Sequence, residues 1–212
     1  MQHNRQLITE LELLQRHLEQ VETEITQIVE NSREGKILLS IPGIGPVQAA
    51  TIIASIGNIA NFERASQLKS YFGWAPSVAQ SGSTLHYERL TPRGQRQMKR
   101  SMLLIVWNVM RYPNNEWARI YERLVRRKCS FNEKTRQYTG RLTVVGRIAG
   151  QIISTIFVLL KQDQELLARL PPGTKPPEPA LYDPEVHRRH CAGHYQAYTR
   201  SKLSNIIELP PH

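Results

Sequence analysis

A short run of hydroxyl side chains stands directly before a group of cationic ones in SVAQSGSTLHYERLTPRGQRQMKR, residues 77–100. Serines and a threonine surround the flexible Gly82, and five cations follow: Arg89, Arg93, Arg96, Lys99 and Arg100. A serine hydroxyl attacks a phosphodiester only when a base or a metal activates it, and guanidinium groups stabilise the negative charge that then develops. The segment therefore predicts the handling of a nucleic-acid backbone. The cations can supply charge stabilisation but not the activating base.

The positive charge of the chain is concentrated around this segment. The 212 residues carry a formal net charge of +10 and give a pI near 9.9. Residues 86–147 hold 15 Lys/Arg and 4 Asp/Glu, a net charge of +11, so the remainder of the chain is close to neutral. A basic surface of this kind favours a polyanion as the partner. No Asp precedes Asp163, so we expect no metal cofactor to be bound by this chain.

The cysteine content and the hydropathy pattern indicate a cytoplasmic protein. Cys129 and Cys191 are the two cysteines of the chain, which favours reduced thiols over a disulfide framework. The most apolar run, residues 152–160, is too short to span a bilayer. We therefore expect no membrane segment.

The elements that must position the basic segment begin with an N-terminal helix, residues 1–34. Its apolar residues alternate at spacings of 4 and 3, which is a heptad pattern. The positions are Leu7, Leu11, Leu14, Leu18, Val21, Ile25 and Ile28. Two interpretations stay open. The helix either packs on its own domain or forms a coiled-coil arm, within the chain or between subunits.

The next segment, LLSIPGIGPVQAATIIASIG, has the pattern of a helix-hairpin-helix motif. Pro42 ends a short helix, Gly43 and Gly45 allow a tight turn, and Pro46 suits the first turn of a new helix. Glycines without side chains would let a phosphate approach the N–H groups of that helix. The pattern thus predicts sequence-independent contact with DNA at Gly43 and Gly45, and the alternative is a plain helical hairpin in the core.

Helices dominate the rest of the pattern, which predicts a mainly all-α fold. A short helix over residues 65–72 ends at Gly73, and a loop with a short hairpin covers residues 77–90. Thr91 and Pro92 would cap and begin a basic helix that ends near Tyr112. A helix over residues 116–128 ends in Arg126, Arg127 and Lys128, which we also assign to nucleic-acid binding. A third helix, over about residues 135–161, should be the most buried.

The composition changes after Leu170, where PPGTKPPEPA predicts an extended proline-rich linker and the end of the compact part. His187, His190, Cys191 and His194 follow at a spacing that places them on one face of a short helix. One helix rarely completes a tetrahedral metal site, so we favour a basic, aromatic tail that contacts nucleic acid or a partner. We therefore divide the chain into an arm (residues 1–34), a central domain (35–170) and a linker with a tail (171–212).

The segment from Leu38 to about Val109 resembles the C-terminal transposase domain of the IS110 family, the bridge-RNA-guided insertion-sequence recombinases. The helix-hairpin-helix pattern, the G-x-x-P turn at Gly73, the Ser-Gly pair at Ser81 and the Arg-Gly pair at Arg93 occur in the order of that family. A weaker likeness continues to about Leu160.

The resemblance implies that Ser81 is a nucleophile that forms a covalent phosphoserine link with DNA, with Ser83 and Ser77 as runners-up. It also implies a divalent metal such as Mg²⁺ on a separate RNase-H-like domain, a guide (bridge) RNA, and a homo-oligomer or an intact transposase as partner. That acidic domain has no counterpart in this sequence, so the chain resembles a truncated frame that cannot recombine DNA by itself. The alternatives are a loop serine that caps a turn and a non-catalytic, dimeric nucleic-acid-binding protein.

Overall fold

The computed structural model describes residues 2–79, 87–90, 94–112, 114–189 and 195. Most of these residues are helical, which confirms the all-α prediction. The helices are α1 (Gln2–Asn31), α2 (Arg33–Leu39), α3 (Pro46–Ile56), α4 (Ala65–Tyr71), α5 (Arg96–Arg111), α6 (Glu116–Lys128), α7 (Arg141–Arg169) and α8 (Pro184–Arg189), with a 3-10 turn at Ile59–Asn61. Two antiparallel hairpins join β1 (Pro76–Ala79) to β2 (Tyr87–Leu90) and β3 (Ser130–Asn132) to β4 (Gln137–Thr139).

Helix α7 is the core element, as its apolar sequence predicts. It packs against α2, α4, α5 and α6, and Ile148, Ile152 and Ile156 are fully buried. Among the described residues, α7 is the helix with the length and hydropathy of a membrane span, but 61% of its apolar window is buried by the rest of the protein. Neighbouring helices therefore cover most of the apolar surface of α7.

Several predicted helix ends are confirmed by their capping contacts. The side chain of Asn115 accepts a hydrogen bond from the Ala118 N–H (2.9 Å) and begins α6. Helix α4 ends at Tyr71; Gly73, two residues later, adopts a φ of +74°, and the Trp74 N–H donates to the Lys69 carbonyl (2.8 Å). Local sequence alone specifies these ends, because the capping groups lie within a few residues of each other.

Helix α5 begins four residues later than predicted. The prediction used Thr91 and Pro92 as cap and first turn, but α5 starts at Arg96. Gly94 has a φ of +107°, a conformation that no right-handed helix contains. Thr91, Pro92 and Arg93 lie outside the described residues.

The predicted start of the third long helix near residue 135 is also wrong, because α7 begins at Arg141. The β3–β4 hairpin occupies the preceding residues. Its turn is held by the Asn132 side chain, which accepts from the N–H groups of Lys134 (3.0 Å) and Thr135 (3.2 Å). Arg136 and Gly140 adopt φ values of +51° and +83°, which end any helix there. A polar turn was thus mistaken for the first turns of a helix.

Helix α1 exposes its heptad positions. Leu11, Leu18 and Ile28 keep 65%, 63% and 69% of their surface accessible, while Val29 is 2% exposed. Only the C-terminal end of α1 packs, and it does so against α2 and α3. Packing on its own domain therefore does not account for the heptad pattern. The coiled-coil interpretation stays a prediction, because a single chain cannot test it.

The segment after α7 lies back against the helical body. Arg33 donates from Nη1 to the Pro177 carbonyl (2.5 Å), and the Tyr182 N–H donates to Ser40 Oγ (2.9 Å). The Tyr182 ring stacks on Trp117 of α6 at 5.1 Å. The compact body therefore includes residues beyond Leu170, which the sequence placed in a linker and a tail. The three-part division of the chain itself stays a prediction.

Candidate nucleic-acid interface

The turn between α2 and α3 packs against α5 through Gly43. This residue has a φ of +85°, and a Cβ added to it would lie 2.5 Å from Val109 Cγ2 and 2.9 Å from the Val109 nitrogen. Its carbonyl also accepts a hydrogen bond from Asn108 Nδ2 at 3.5 Å. The structure thus gives Gly43 a packing role that the sequence did not suggest. Its contact with DNA stays a prediction.

Gly45 stands at the N-terminus of α3, where the helix dipole is positive. Its backbone is extended, and Pro46 forms the first residue of the helix. Val47, in the same turn, keeps 44% of its side chain accessible. The first turn of α3 is therefore reachable from solvent, which is consistent with the predicted phosphate contact at Gly45.

Helix α5 separates an apolar face from a basic one. Met98, Met102 and Ile105 are fully buried, whereas Arg96 and Arg100 are exposed and Lys99 is half-buried. No acidic residue occurs in the first turn, and the cap residue Gln95 makes no capping hydrogen bond with its side chain. Cations at the positive end of a helix dipole are unfavourable for the helix itself. Arg96, Lys99 and Arg100 lie on the first two turns of α5. There they lower the stability of the helix, but they are well placed to bind an anionic ligand.

The base of the β1–β2 hairpin is closed by two glycines in backbone contact. A Cβ on Gly94 would lie 2.5 Å from Gly73 Cα and 2.6 Å from the Gly73 nitrogen. Both residues have positive φ values, +74° for Gly73 and +107° for Gly94. Only glycine permits both the approach and the conformation. The two ends of the 20-residue segment between them (74–93) therefore meet at a fixed point of the fold.

Side chains next to the glycines reinforce this closure. The Tyr71 hydroxyl donates to the Ser55 carbonyl of α3 (3.1 Å) and accepts from Gln95 Nε2 (2.6 Å). The Gln95 N–H also donates to the Tyr71 carbonyl (3.3 Å). The first residue before α5 is thus tied to both α3 and α4, which fixes the direction in which α5 leaves the hairpin.

The described strands of the hairpin include one candidate nucleophile, Ser77 of β1. The register of the hairpin pairs Ser77 with Arg89 and Ala79 with Tyr87. Arg89 is therefore opposite Ser77, a runner-up nucleophile, along the backbone. Ser81, Ser83 and Arg93 lie outside the described residues, so their predicted roles stay predictions.

Comparison with known proteins identifies the middle of the chain. Residues 35–122 match the model of the Transposase IS116/IS110/IS902 family. These residues belong to that transposase family. The match contains the α2–α3 turn, the Gly73–Gly94 contact, the β1–β2 hairpin and α5.

Curated relatives agree with this assignment. The chain is 29% identical to the IS110 uncharacterized 43.6 kDa protein of Streptomyces coelicolor, covering 73% of this chain and 36% of that protein. It is 29% identical to the pilin gene-inverting protein of Moraxella bovis, covering 44% and 31%. It is 30% identical to the transposase for insertion sequence element IS1111A of Coxiella burnetii, covering 39% and 22%. The chain thus spans about a third or less of the length of these relatives.

Two of the motifs that suggested a transposase domain, the G-x-x-P turn and the Arg-Gly pair, contact each other in the structure. The glycine of the G-x-x-P turn is Gly73, and the glycine of the Arg-Gly pair is Gly94. The two residues are the two sides of one backbone contact. The sequence shows that both glycines belong to motifs of the family. Only the tertiary structure shows that their backbones are in contact.

Sequence reasoning missed part of the basic surface just beyond the transposase domain match. Arg126, Arg127 and Lys128 are exposed at the end of α6, as predicted. Arg119 and Arg123 join Arg126 and Arg127 around an open depression of about 410 Å³, with Glu122 as its remaining lining residue. The spacing of these arginines, one turn of helix apart, was the signal that could have identified them.

One further cation of the transposase domain, Lys69 of α4, is half-buried. Burial lowers the pKa of its ammonium group, and its Cε lies 3.9 Å from the position of a Cβ on Gly150 of α7. Because the side chain packs between helices, we do not assign Lys69 to the nucleic-acid surface.

The tail histidine that the structure describes has a packing environment. His187 is fully buried, its Nδ1 shares a 2.6 Å hydrogen bond with the Tyr182 hydroxyl, and its ring lies 4.7 Å from Trp117. Burial, together with the nearby Tyr195, raises the pKa of Tyr182. His190, Cys191 and His194 lie outside the described residues. Within the described part of the chain, no three His, Cys, Asp or Glu residues come together as metal ligands.

Proposed function

We propose that this chain binds DNA in transposition and supplies Ser81 as the nucleophile for strand cleavage and exchange. The observation that carries the proposal is the family match over residues 35–122, which spans both the Ser-Gly pair and the basic helix. The hydroxyl would attack a phosphorus atom, form a phosphoserine link and release the 3′ or 5′ oxygen of the cut strand, and a later attack by a DNA hydroxyl would restore the serine.

The geometry around the hairpin supports this role. The Gly73–Gly94 contact holds both ends of the segment that contains Ser81. Gln95, tied to Tyr71, leads directly into α5 with Arg96 and Arg100. A nucleophile on that segment would therefore work next to cations whose position is fixed relative to the base of the hairpin. Such fixed cations stabilise developing phosphate charge more effectively than mobile ones.

The reaction also needs a divalent metal, by the resemblance that suggested Ser81. The described residues of this chain do not offer a ligand set for it, and three of their acidic side chains, Glu116, Glu122 and Asp163, pair with arginines instead. We therefore assign the metal to an RNase-H-like domain on a partner, and derive no step through a metal on this chain.

The partners follow from the same surfaces. DNA is the proposed ligand of α5 and of the first turn of α3, in the cytoplasm, and a guide RNA is part of the proposal through the family resemblance alone. A second copy of the chain, or an intact transposase, would cover the exposed heptad positions of α1.

A trapping experiment tests the catalytic role. A suicide DNA substrate that loses a strand segment after cleavage is incubated with the chain and an intact transposase of the family whose own nucleophile is removed. We expect a covalent protein–DNA adduct on this chain that disappears in Ser81→Ala but persists in Ser83→Ala. The serine nucleophile is disproved if the adduct is absent, or if it survives in Ser81→Ala.

The alternative function is a non-catalytic nucleic-acid-binding protein that dimerises through α1. The exposed heptad positions of α1 favour it as much as they favour the first proposal. Unaltered DNA binding without any adduct in the trapping experiment would decide for the alternative.

A further inference from the structure

Helix α6 and the hairpin that follows it along the chain carry a dense group of cations, most of them beyond residue 122, where the transposase domain match ends. Residues 119–141 hold eight Lys/Arg and two Asp/Glu. The buried face of α6 carries Trp117, Tyr121 and Val125, so its arginines point away from the core. The chain then turns directly into β3, because α6 ends at Lys128 and β3 begins at Ser130.

The charges on this surface are only partly neutralised. Arg119 lies 3.8 Å from Glu116, and Arg126 lies 3.9 Å from Glu122. The other six cations are exposed and have no carboxylate partner among the described residues: Arg123, Arg127, Lys128, Lys134, Arg136 and Arg141. The depression on α6 is lined by charged side chains alone. Four arginines against one glutamate make this depression a better site for an anion than for a neutral ligand.

The β3–β4 hairpin has the shape of a ribbon that inserts into a groove. Its two strands pair with each other, and every residue from 130 to 139 is exposed except the half-buried Tyr138. The rings of Phe131 and Tyr138 pack at 5.0 Å across the strands, and Thr139 Oγ1 donates to the Ser130 carbonyl at 3.1 Å. These contacts stiffen a ribbon that has no other strand to pair with among the described residues.

The dimensions of the ribbon match a groove of B-form DNA. Strands of three residues extend about 10 Å, and the major groove of B-form DNA is about 8.5 Å deep and wide enough for a two-stranded ribbon. Lys134 and Arg136 lie in the turn at the tip, where they would reach the groove first. The major groove of A-form RNA is too narrow for such an insertion.

We infer that the outer face of α6 and the β3–β4 hairpin form a second DNA-binding surface, which holds the phosphate backbone of a B-form duplex while the hairpin enters the major groove. The inference rests on the DNA-binding function proposed above and extends it. Helix α5 would contact the DNA near the reacting serine, and α6 with the hairpin would hold the flanking duplex.

Two neutralising double variants test the surface. Arg123→Gln with Arg127→Gln removes two charges from α6 and keeps good helix-forming residues. Lys134→Asn with Arg136→Asn removes two charges from the hairpin tip, and asparagine tolerates the positive φ of residue 136. The matched control is Arg5→Gln with Arg16→Gln, which removes the same net charge from exposed positions on the arm.

Affinity for a short duplex DNA is measured by fluorescence anisotropy across about 50 to 200 mM salt. Each phosphate contact contributes about 0.9 to the slope of log K against log salt. The α6 double variant should therefore flatten the slope by about 1.8 and weaken binding about 60-fold at about 0.1 M salt. The hairpin double variant should also weaken binding, with a smaller change of slope, because its cations enter the groove. The arm control should bind like the wild type, and the melting temperatures should stay unchanged because the altered side chains are exposed.

The outcomes separate the inference from the proposal on which it rests. If both double variants bind like the wild type while Arg96→Glu with Arg100→Glu weakens binding, this inference is overturned and the proposed function stands. If neither surface matters, or if the wild type does not bind duplex DNA, both fail. Equal weakening of duplex RNA binding by the hairpin variant would overturn insertion into the major groove. If only the α6 variant loses DNA affinity, the hairpin is not part of the DNA-binding surface and its insertion into the major groove is overturned.

Discussion

Arg33 and Asp163 form the most buried ion pair among the described residues, and its removal is a direct test of how the chain is held together. Arg33 Nε donates to Asp163 Oδ2 and Arg33 Nη2 donates to Oδ1, both at 2.7 Å. The Asp163 side chain is only 7% exposed and that of Arg33 is 21% exposed. The pair joins the start of α2 to α7, and the hydrogen bonds to the carboxylate raise the pKa of Arg33.

Asp163→Asn should destabilise the protein by about 3 kcal/mol. Breaking a buried pair by removing one charge costs about 3–5 kcal/mol, because the remaining charge stays desolvated. The lower end applies here because Arg33 keeps its hydrogen bond to the Pro177 carbonyl and some access to water. For a chain of this size the melting temperature should fall by about 6–12 °C.

The assay is urea unfolding followed by far-UV circular dichroism, with m-values compared across variants. Glu178→Gln is the control, because Glu178 lies 3.9 Å from Lys36 and both side chains are largely exposed, 88% and 49%. Its effect should stay within about 0.5 kcal/mol. The double variant Arg33→Met with Asp163→Leu should recover most of the lost stability, because it leaves no unpaired charge.

Two results would refute this account. A loss below about 1 kcal/mol in Asp163→Asn would mean that the pair is effectively solvated. If Arg33→Met with Asp163→Leu is as unstable as Asp163→Asn, the loss of stability comes from the changed packing of the side chains and not from an unpaired charge.

Three further predictions concern the hairpin base, the basic helix and the arm. Gly94→Ala should cost about 3 kcal/mol, because its Cβ would meet the Gly73 backbone at 2.5 Å. Gly173→Ala, also at positive φ but with open space around it, should cost only about 1 kcal/mol, and equal losses in thermal melts would disprove the contact. Arg96→Glu with Arg100→Glu should weaken DNA binding for all sequences and flatten its salt slope by about 1.8, and an unchanged gel-shift titration would remove the assignment of α5. Leu14→Asp or Leu18→Asp should convert an oligomer into a monomer in light scattering, whereas Leu13→Asp, off the heptad positions but also exposed, should not; a monomeric wild type would contradict the coiled coil.

Helices whose signals are local could be predicted from the sequence. Residues 116–128 were placed correctly because Asn115 caps the first turn and the apolar spacing continues to Val125. The starts of α5 and α7 could not be predicted, because polar turns with residues at positive φ precede both helices. Gly94 and Arg136 adopt those conformations in the folded chain, and the patterns around them equally suit a helix.

The candidate site divides in the same way. The clustering of charge between residues 86 and 147, and with it a nucleic-acid partner, follows from composition. The pairing of Gly73 with Gly94 does not, because the two glycines are 21 positions apart and meet only when β1 and β2 pair.

The sequence by itself determined that this chain is helical, basic in its middle and similar to a transposase domain. Amphipathic spacing, charge and motif order depend only on the order of the residues and not on their positions in space. The tertiary structure alone decided which of these residues share a surface. It placed His187 in the core and Gly43 against α5. It also showed that a β-hairpin, which the sequence did not predict, follows the arginines of α6. The physical reason is that burial and contact depend on residues distant along the chain, whose mutual position is set only when the helices pack around α7.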